Sequence, residues 1–170
     1  MATTIQQAKI TGFTAILPAA TSSRYQQIFD ENRHRIYALA FWMTDNELAA
    51  DELMQSVFCR AFAFSSEPTA EMIDRALVAE LRQEYLLGPL SLAEPPCQQV
   101  LNVRRNTLRV HLERAVVQLP RTERMIFLMH DVEGYDHARI ARTLGLTLGE
   151  CQSGLHQARI RIRNLVNAMS

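Results

Sequence analysis

The fold is decided near the C-terminus, where residues 136–165 read DHARIARTLGLTLGECQSGLHQARIRIRNL. Asp136 can cap a short helix that ends at Gly145, a residue type that adopts the left-handed conformation at little cost. Thr147 and Glu150 then form a capping box, which starts a second helix after a turn of three residues. Two helices joined by so short a turn cross steeply, which predicts a helix-turn-helix. The alternative is a plain helical hairpin in a bundle.

The second helix of this pair carries one apolar stripe. Its members recur three or four residues apart, at Leu148, Cys151, Leu155, Ala158, Ile162 and Leu165. In a helix-turn-helix this helix enters the DNA major groove, so the side chains away from the stripe are candidates for DNA contact. Gln152, Gly154 and Gln157 are expected on that outer face, uncharged and open to DNA.

The candidate DNA contacts fall into two chemical groups. Gln152 and Ser153 suit hydrogen bonds to base edges, and Gln157 shares their face. Basic side chains suit the phosphates, and these are Arg139, Arg142, His156, Arg159, Arg161 and Arg163. Phosphate contacts supply much of the affinity, and no Lys or Arg occurs between Arg142 and Arg159, so weak DNA binding is expected.

The rest of the chain also predicts helices, so the fold class is all-α. The pattern divides the chain into an extension over 1–21, a helical domain over 22–87, a linker over 88–100 and the helix-turn-helix domain over 101–170. Prolines mark the linker, which has few apolar residues, so the two domains are expected to move independently. Within the first domain, helices are predicted over about 22–43, 48–62 and 70–87, with a capping box at Thr44 and Glu47 before the second.

Charge and composition narrow the function classes. The net charge is zero, but residues 1–99 carry −5 and residues 100–170 carry +5, which points to a polyanion partner for the C-terminal half. Seventeen of the 18 basic residues are Arg, which suits phosphate and guanine, although codon bias explains it equally well. Three scattered cysteines and no signal peptide or long apolar run lead us to expect a cytoplasmic chain without membrane insertion. No motif for a metal, cofactor or catalytic centre is present, so we expect no enzyme.

Residues 115–166 resemble the promoter-reading domain of the extracytoplasmic-function sigma factors of bacterial RNA polymerase. The matching residues are Leu119-Pro120, Glu123-Arg124, Phe127-Leu128, Asp131 to Gly134, Ile140-Ala141, Leu144-Gly145, Gly149, Ser153, Leu155-His156 and Ala158-Arg159. Residues 29–62 resemble the domain of that family that binds core polymerase, through Tyr37, Leu39-Ala40, Met43-Thr44, Asn46, Ala50 to Leu53, Gln55, Val57-Phe58 and Arg60 to Phe62. The two sets follow each other in the family's order.

The resemblance implies a protein without catalytic groups that binds core polymerase and directs it to promoter DNA. It implies docking on the clamp helices of the beta-prime subunit, contact with the beta flap, and an anti-sigma factor as a possible further partner. The residues that match the docking surface are Asp51, Glu52, Leu53, Gln55 and Phe58. An acidic rim around apolar anchors suits a basic helical partner.

Two other functions remain open because the DNA-facing positions depart from the family pattern. The family usually carries basic residues where this chain has Gln152, Gly154 and Gln157, and the third helix has only Arg75 and Arg82 for a separated strand. One alternative is a sigma-like decoy that docks on polymerase or an anti-sigma factor without productive DNA binding. The other is a simple helix-turn-helix regulator, which the match in the first domain disfavours.

Overall fold

The structure, a computed structural model, describes residues 19–85, 87–88 and 109–169, and every regular element in these ranges is helical. The all-α expectation is therefore confirmed. The helices in chain order are α1 (Ala19–Thr44), α2 (Glu47–Phe64), α3 (Ala70–Glu84), α4 (Arg109–Val117), α5 (Arg121–Phe127), α6 (His137–Leu144) and α7 (Leu148–Met169). Most of the predicted linker, and residues 101–108 of the predicted helix-turn-helix domain, lie outside the described residues.

The first domain is a helical hairpin, α1 and α2, with α3 packed across it. Ile36 and Leu39 of α1 meet Val57 of α2 and Leu77 of α3 in a shared core, and all four are almost fully buried. Their spacing along each helix gives one apolar stripe, which is why the helices bury these faces together. The result is a rigid support that leaves the N-terminal end of α2 exposed.

The start of α2 differs from the predicted capping box. The N-cap is Asn46, whose side-chain oxygen accepts a hydrogen bond from the Ala49 amide at 3.0 Å. Thr44 instead ends α1, and its hydroxyl donates to the Asn46 carbonyl. Asn is a better N-cap than Thr, and Asp45 adopts a positive φ of 52°, which redirects the chain before the cap. The capping box proposed at Thr44 and Glu47 is therefore wrong.

The second domain contains α4 to α7, with α7 packed against α4, α5 and α6. Its core includes Met125, Ile126, Ile140 and Leu155, all buried. Helix α5 continues into a π-helical segment, Leu128–Val132. Such widened turns displace side chains from the regular helical faces, and this one carries Asp131.

The two domains pack against each other, so the expectation that they are independent is wrong. Helix α3 contacts α6, and α1 contacts α5. Arginine side chains bond to backbone carbonyls across the boundary: Arg82 Nη2 donates to the Leu144 carbonyl at 2.6 Å, and Arg124 Nη1 donates to the Trp42 carbonyl at 3.1 Å. The expectation considered only the apolar content of the linker, and these polar contacts come from helices far apart in sequence.

Within the described ranges, no helix combines the length and the apolar character needed to cross a bilayer. In those same ranges, no group of three or more His, Cys, Asp or Glu side chains is placed to hold a metal ion.

Candidate nucleic-acid interface

The turn between α6 and α7 forms the helix caps that the sequence predicts. The Asp136 carboxylate accepts from the Arg139 amide at 2.7 Å and starts α6. Gly145 ends that helix with φ of 66°, in the left-handed region. Thr147 and Glu150 then cap α7 reciprocally: the Thr147 amide donates to Glu150 Oε2 at 2.8 Å, and the Glu150 amide donates to Thr147 Oγ1 at 3.2 Å. The three-residue turn is confirmed.

Fewer residues lie on the outer, exposed face of α7 than the sequence predicts. Gln152, Ser153 and His156 are exposed, and Gln157 is half-buried. Gly154, however, is buried, so it is not available to DNA.

The reason for the burial of Gly154 lies in its position on the helix. It follows Cys151 by three residues and precedes Ala158 by four, which places it on the buried stripe. At the start of α7 the stripe is also shorter than expected, because Leu148 is 51% exposed.

Two of the arginines predicted to bind phosphate are paired with acids inside the second domain. Arg159 forms a bidentate pair with Asp131, with Nε–Oδ2 at 3.0 Å and Nη2–Oδ1 at 2.6 Å. The hydrogen bond from Arg159 holds the pKa of Asp131 below its usual value. Arg161 Nε lies 2.9 Å from Oε2 of Glu123, which is almost fully buried. Burial raises the pKa of Glu123, and the positive charge of Arg161 only partly offsets this.

Two more arginines are paired across the domain boundary. Arg139 Nη2 donates to Asp74 Oδ2 at 2.6 Å, and Asp74 is fully buried. Arg142 Nε lies 3.4 Å from Glu71 Oε1, and this pair is more exposed. Both acids belong to α3 of the first domain. Among the described residues, Arg163 therefore stands as the one predicted phosphate-binding arginine without an ion pair.

Asp74 and Tyr135 complete the boundary site and were not among the sequence candidates. Asp74 accepts hydrogen bonds from Arg35 of α1 and Arg139 of α6. The Tyr135 hydroxyl accepts from Arg35 and donates to Asp74 Oδ1 at 3.3 Å. The guanidinium of Arg139 also lies over the Tyr135 ring, 3.7 Å from its centroid. One signal in the sequence could have revealed the site. Asp74 lies next to Ile73 and three residues before Leu77, within an apolar stripe, and a carboxylate in such a stripe needs a buried partner.

The docking residues predicted on α2 divide into exposed and buried members. Glu52 is exposed, while Asp51 and Gln55 are partly exposed and joined by a hydrogen bond of 3.1 Å. Leu53 and Phe58 are both 4% exposed and lie in the core, so the prediction that they anchor a partner is wrong for this conformation.

Leu48, beside these residues at the start of α2, is 68% exposed. It borders a shallow surface pocket with Tyr37, Glu47 and Asp51.

The basic side chains of α3 are also occupied. Arg75 pairs with Glu71 at 2.9 Å, and Arg82 bonds to the Leu144 carbonyl. Tyr85, the C-cap residue of α3, is half-buried, and its carbonyl accepts from Arg121 of the second domain. Arg82 and Tyr85 therefore contact the second domain, whereas Arg75 pairs within α3 and stays exposed.

Comparison with known proteins places this geometry in a family. The family model described as sigma-70, region 4, matches residues 109–162. The chain is 24% identical over 173 residues to the ECF RNA polymerase sigma factor SigE of Mycolicibacterium smegmatis, which covers 91% of this chain. The chain spans 64% of the length of that relative.

A solved structure shares the fold. It is the sigma factor RpoE in complex with the anti-sigma factor NepR from Bartonella quintana, which matches with a TM-score of 0.59 and 18% identity. The match covers 84% of this chain and 96% of the RpoE chain. The region 4 match falls on the helix-turn-helix, and the likeness to SigE extends through the first helical domain as well. The second domain therefore matches sigma-70 region 4, and the chain is similar over most of its length to an extracytoplasmic-function sigma factor.

Proposed function

We propose that the chain is a working sigma factor that binds core RNA polymerase through its first domain and directs it to promoter DNA through its second. The observation that carries this proposal is the helix-turn-helix with its region 4 match, on a chain whose similarity to sigma factors covers both domains. A protein of this kind acts by binding, without catalytic groups, in the cytoplasm where core polymerase is found.

The polymerase contact is proposed at the N-terminal end of α2. Leu48 is an exposed apolar side chain, and Glu47, Asp51 and Glu52 surround it with negative charge. An apolar anchor inside a charged rim gives both affinity and orientation toward a basic partner. The beta-prime clamp helices are the proposed partner here, and the beta flap is proposed for the second domain.

The DNA contact is proposed at the exposed face of α7. Gln152 and Ser153 can donate to and accept from base edges, and His156 lies one turn further along. Arg163, which has no ion pair among the described residues, is the proposed phosphate contact. With so few available cations, affinity for DNA is expected to depend on the polymerase holding the chain in place.

A binding experiment with one charge reversal tests the docking surface. The full chain should co-elute with purified core polymerase in gel filtration. Glu52→Arg should weaken that association at least tenfold, because it opposes a basic partner with a new positive charge. The matched control is Glu31→Arg, the same reversal at an exposed position of α1. Equal affinity of the two variants would place the docking surface elsewhere.

A sigma-like decoy is the second candidate, and the arginine pairing favours it. Four of the five arginines expected at DNA are neutralised by acids in this structure. A decoy would bind core polymerase, or an anti-sigma factor as RpoE does NepR, and would open no promoter. Opening of promoter DNA by the reconstituted complex excludes the decoy.

A further inference from the structure

We propose that helix α3 acts as an internal competitor of DNA, holding the helix-turn-helix arginines Arg139 and Arg142 with Asp74 and Glu71. While the domains are packed, Arg139 and Arg142 are not available to phosphate, and they reach DNA only after the two domains separate at this contact. This inference rests on the part of the proposed function that assigns the helix-turn-helix to DNA.

Asp74 is the centre of the contact. It is fully buried, and it accepts from Arg139 Nη2 at 2.6 Å, a distance typical of a charge-assisted hydrogen bond. Burial disfavours the charged form of Arg139, but the hydrogen bond and negative charge of Asp74 outweigh it and raise the pKa of that guanidinium. A phosphate would offer Arg139 the same chemistry, so the carboxylate and DNA compete for one group.

Two further contacts extend the competition along α3. Glu71, one turn before Asp74, lies 3.4 Å from the Arg142 guanidinium. Arg82 donates to the Leu144 carbonyl at the end of α6. Basic side chains of both domains are therefore directed at the other domain, and the same rigid-body separation would release them together.

Separation of α3 from α6 would leave neither Asp74 nor Arg139 without a favourable partner. After separation Asp74 would keep Arg35, which belongs to its own domain, as a partner. Arg139 would keep its position over the Tyr135 ring, which belongs to the second domain. Since each side retains a favourable partner, opening avoids the large penalty of an isolated buried charge.

The test measures DNA binding of the full chain as a function of salt. The probe is a 30-base-pair duplex of random sequence, with the same label throughout. Asp74→Asn removes the competing charge. Release of Arg139 and Arg142 should steepen the slope of log affinity against log salt by up to about 1.8, at about 0.9 for each phosphate contact. This corresponds to about 12-fold tighter binding when salt falls fourfold. X-ray scattering should show a larger radius of gyration.

A matched control separates this effect from simple charge. Glu84→Gln removes one negative charge from an exposed position of the same helix, away from the arginines. Its salt slope should stay at the wild-type value. Because Asp74 is buried, Glu71→Gln serves as the second variant if Asp74→Asn does not fold, with an expected increase of about 0.9.

Salt slopes of Asp74→Asn and Glu71→Gln equal to that of Glu84→Gln would overturn the inference. Association with core polymerase is measured separately. If the variants show steeper slopes but the chain does not bind polymerase, the proposed function fails and the competition stands. If the chain binds polymerase but the variants show unchanged slopes, the competition fails and the proposed function stands.

Discussion

Replacing Asp131 by Asn should release Arg159 for DNA while leaving the fold in place. In the structure the Asp131 carboxylate accepts from two nitrogens of Arg159 and lies 2.7 Å from Nδ1 of His130. The arginine side chain is 51% exposed, so the pair contributes only about 0.5–1 kcal/mol to the free energy of unfolding. The variant should therefore unfold at nearly the wild-type urea concentration.

The effect on DNA binding should be larger than the effect on stability. One released arginine adds one phosphate contact, which steepens the slope of log affinity against log salt by about 0.9. A fourfold decrease in salt should then strengthen binding by about 3.5-fold more than in the wild type. Fluorescence anisotropy with a labelled duplex, repeated over a salt series, measures this slope.

The control is Asp136→Asn in the same domain. It removes the same charge, and it preserves the helix cap because Asn caps as well as Asp. If the two variants give the same slope, Arg159 does not reach DNA, and its assignment to phosphate is refuted.

The free energy of unfolding at acidic pH provides a second test of the pair between Asp131 and Arg159. Its carboxyl pKa is lowered in the folded state, chiefly by the hydrogen bond from Arg159. The resulting stabilisation is present above pH of about 4 and is lost as pH falls through the folded-state pKa. The Asp131→Asn variant should show a flatter dependence of unfolding free energy on pH in that range.

Four other substitutions test the fold around the two interfaces. Leu53→Ala should lower the free energy of unfolding by about 2–5 kcal/mol because Leu53 lies in the core. Glu52→Ala should change it by less than about 0.5 kcal/mol. Urea titration of the two variants measures both values. Gly145→Ala should cost about 1–2 kcal/mol in the same assay, from backbone strain at φ of 66°, since a Cβ would make only ordinary contact with Arg82. Burial raises the pKa of Tyr135 to about 12, so the unfolding free energy should fall with pH above about 10, where the unfolded tyrosine releases its proton first. Tyr135→Phe should remove that fall.

Local chemistry explains why so much of the second domain could be predicted. The Asp136 cap, the left-handed Gly145 and the Thr147–Glu150 box are each determined by residues within a few positions of one another. Such contacts depend on the local sequence alone. The same holds for the helices of the first domain, which begin and end within a few residues of the predicted positions.

The errors on helix faces have a geometric cause. Leu53 was predicted to dock on a partner, but it is five residues from the exposed Leu48, which separates the two by about 140° around the helix and places Leu53 on the core side. Gly154 was assigned to the outer face although it falls between Cys151 and Ala158 on the buried stripe. Each error could have been avoided by placing every residue of the helix by angle.

The ion pairs could not be predicted from the sequence. Arg139 meets a carboxylate 65 residues away, and Arg161 meets Glu123 from another helix. A pattern of charges gives no information on which distant acid a basic side chain contacts, because packing of the two domains decides it. The five arginines were assigned to DNA as if they were unoccupied, and the structure shows four of them paired with acids.

Transcription from genomic DNA by core polymerase with and without this chain is the measurement that tests the account most directly. Purified core polymerase, the full chain and fragmented DNA from the source genome are combined, and the 5′ ends of the transcripts are mapped. We expect discrete start sites that require the chain and share an upstream sequence element, as promoter-directed initiation demands. Stable association with core polymerase without any chain-dependent start site would contradict the sigma-factor function and leave the decoy.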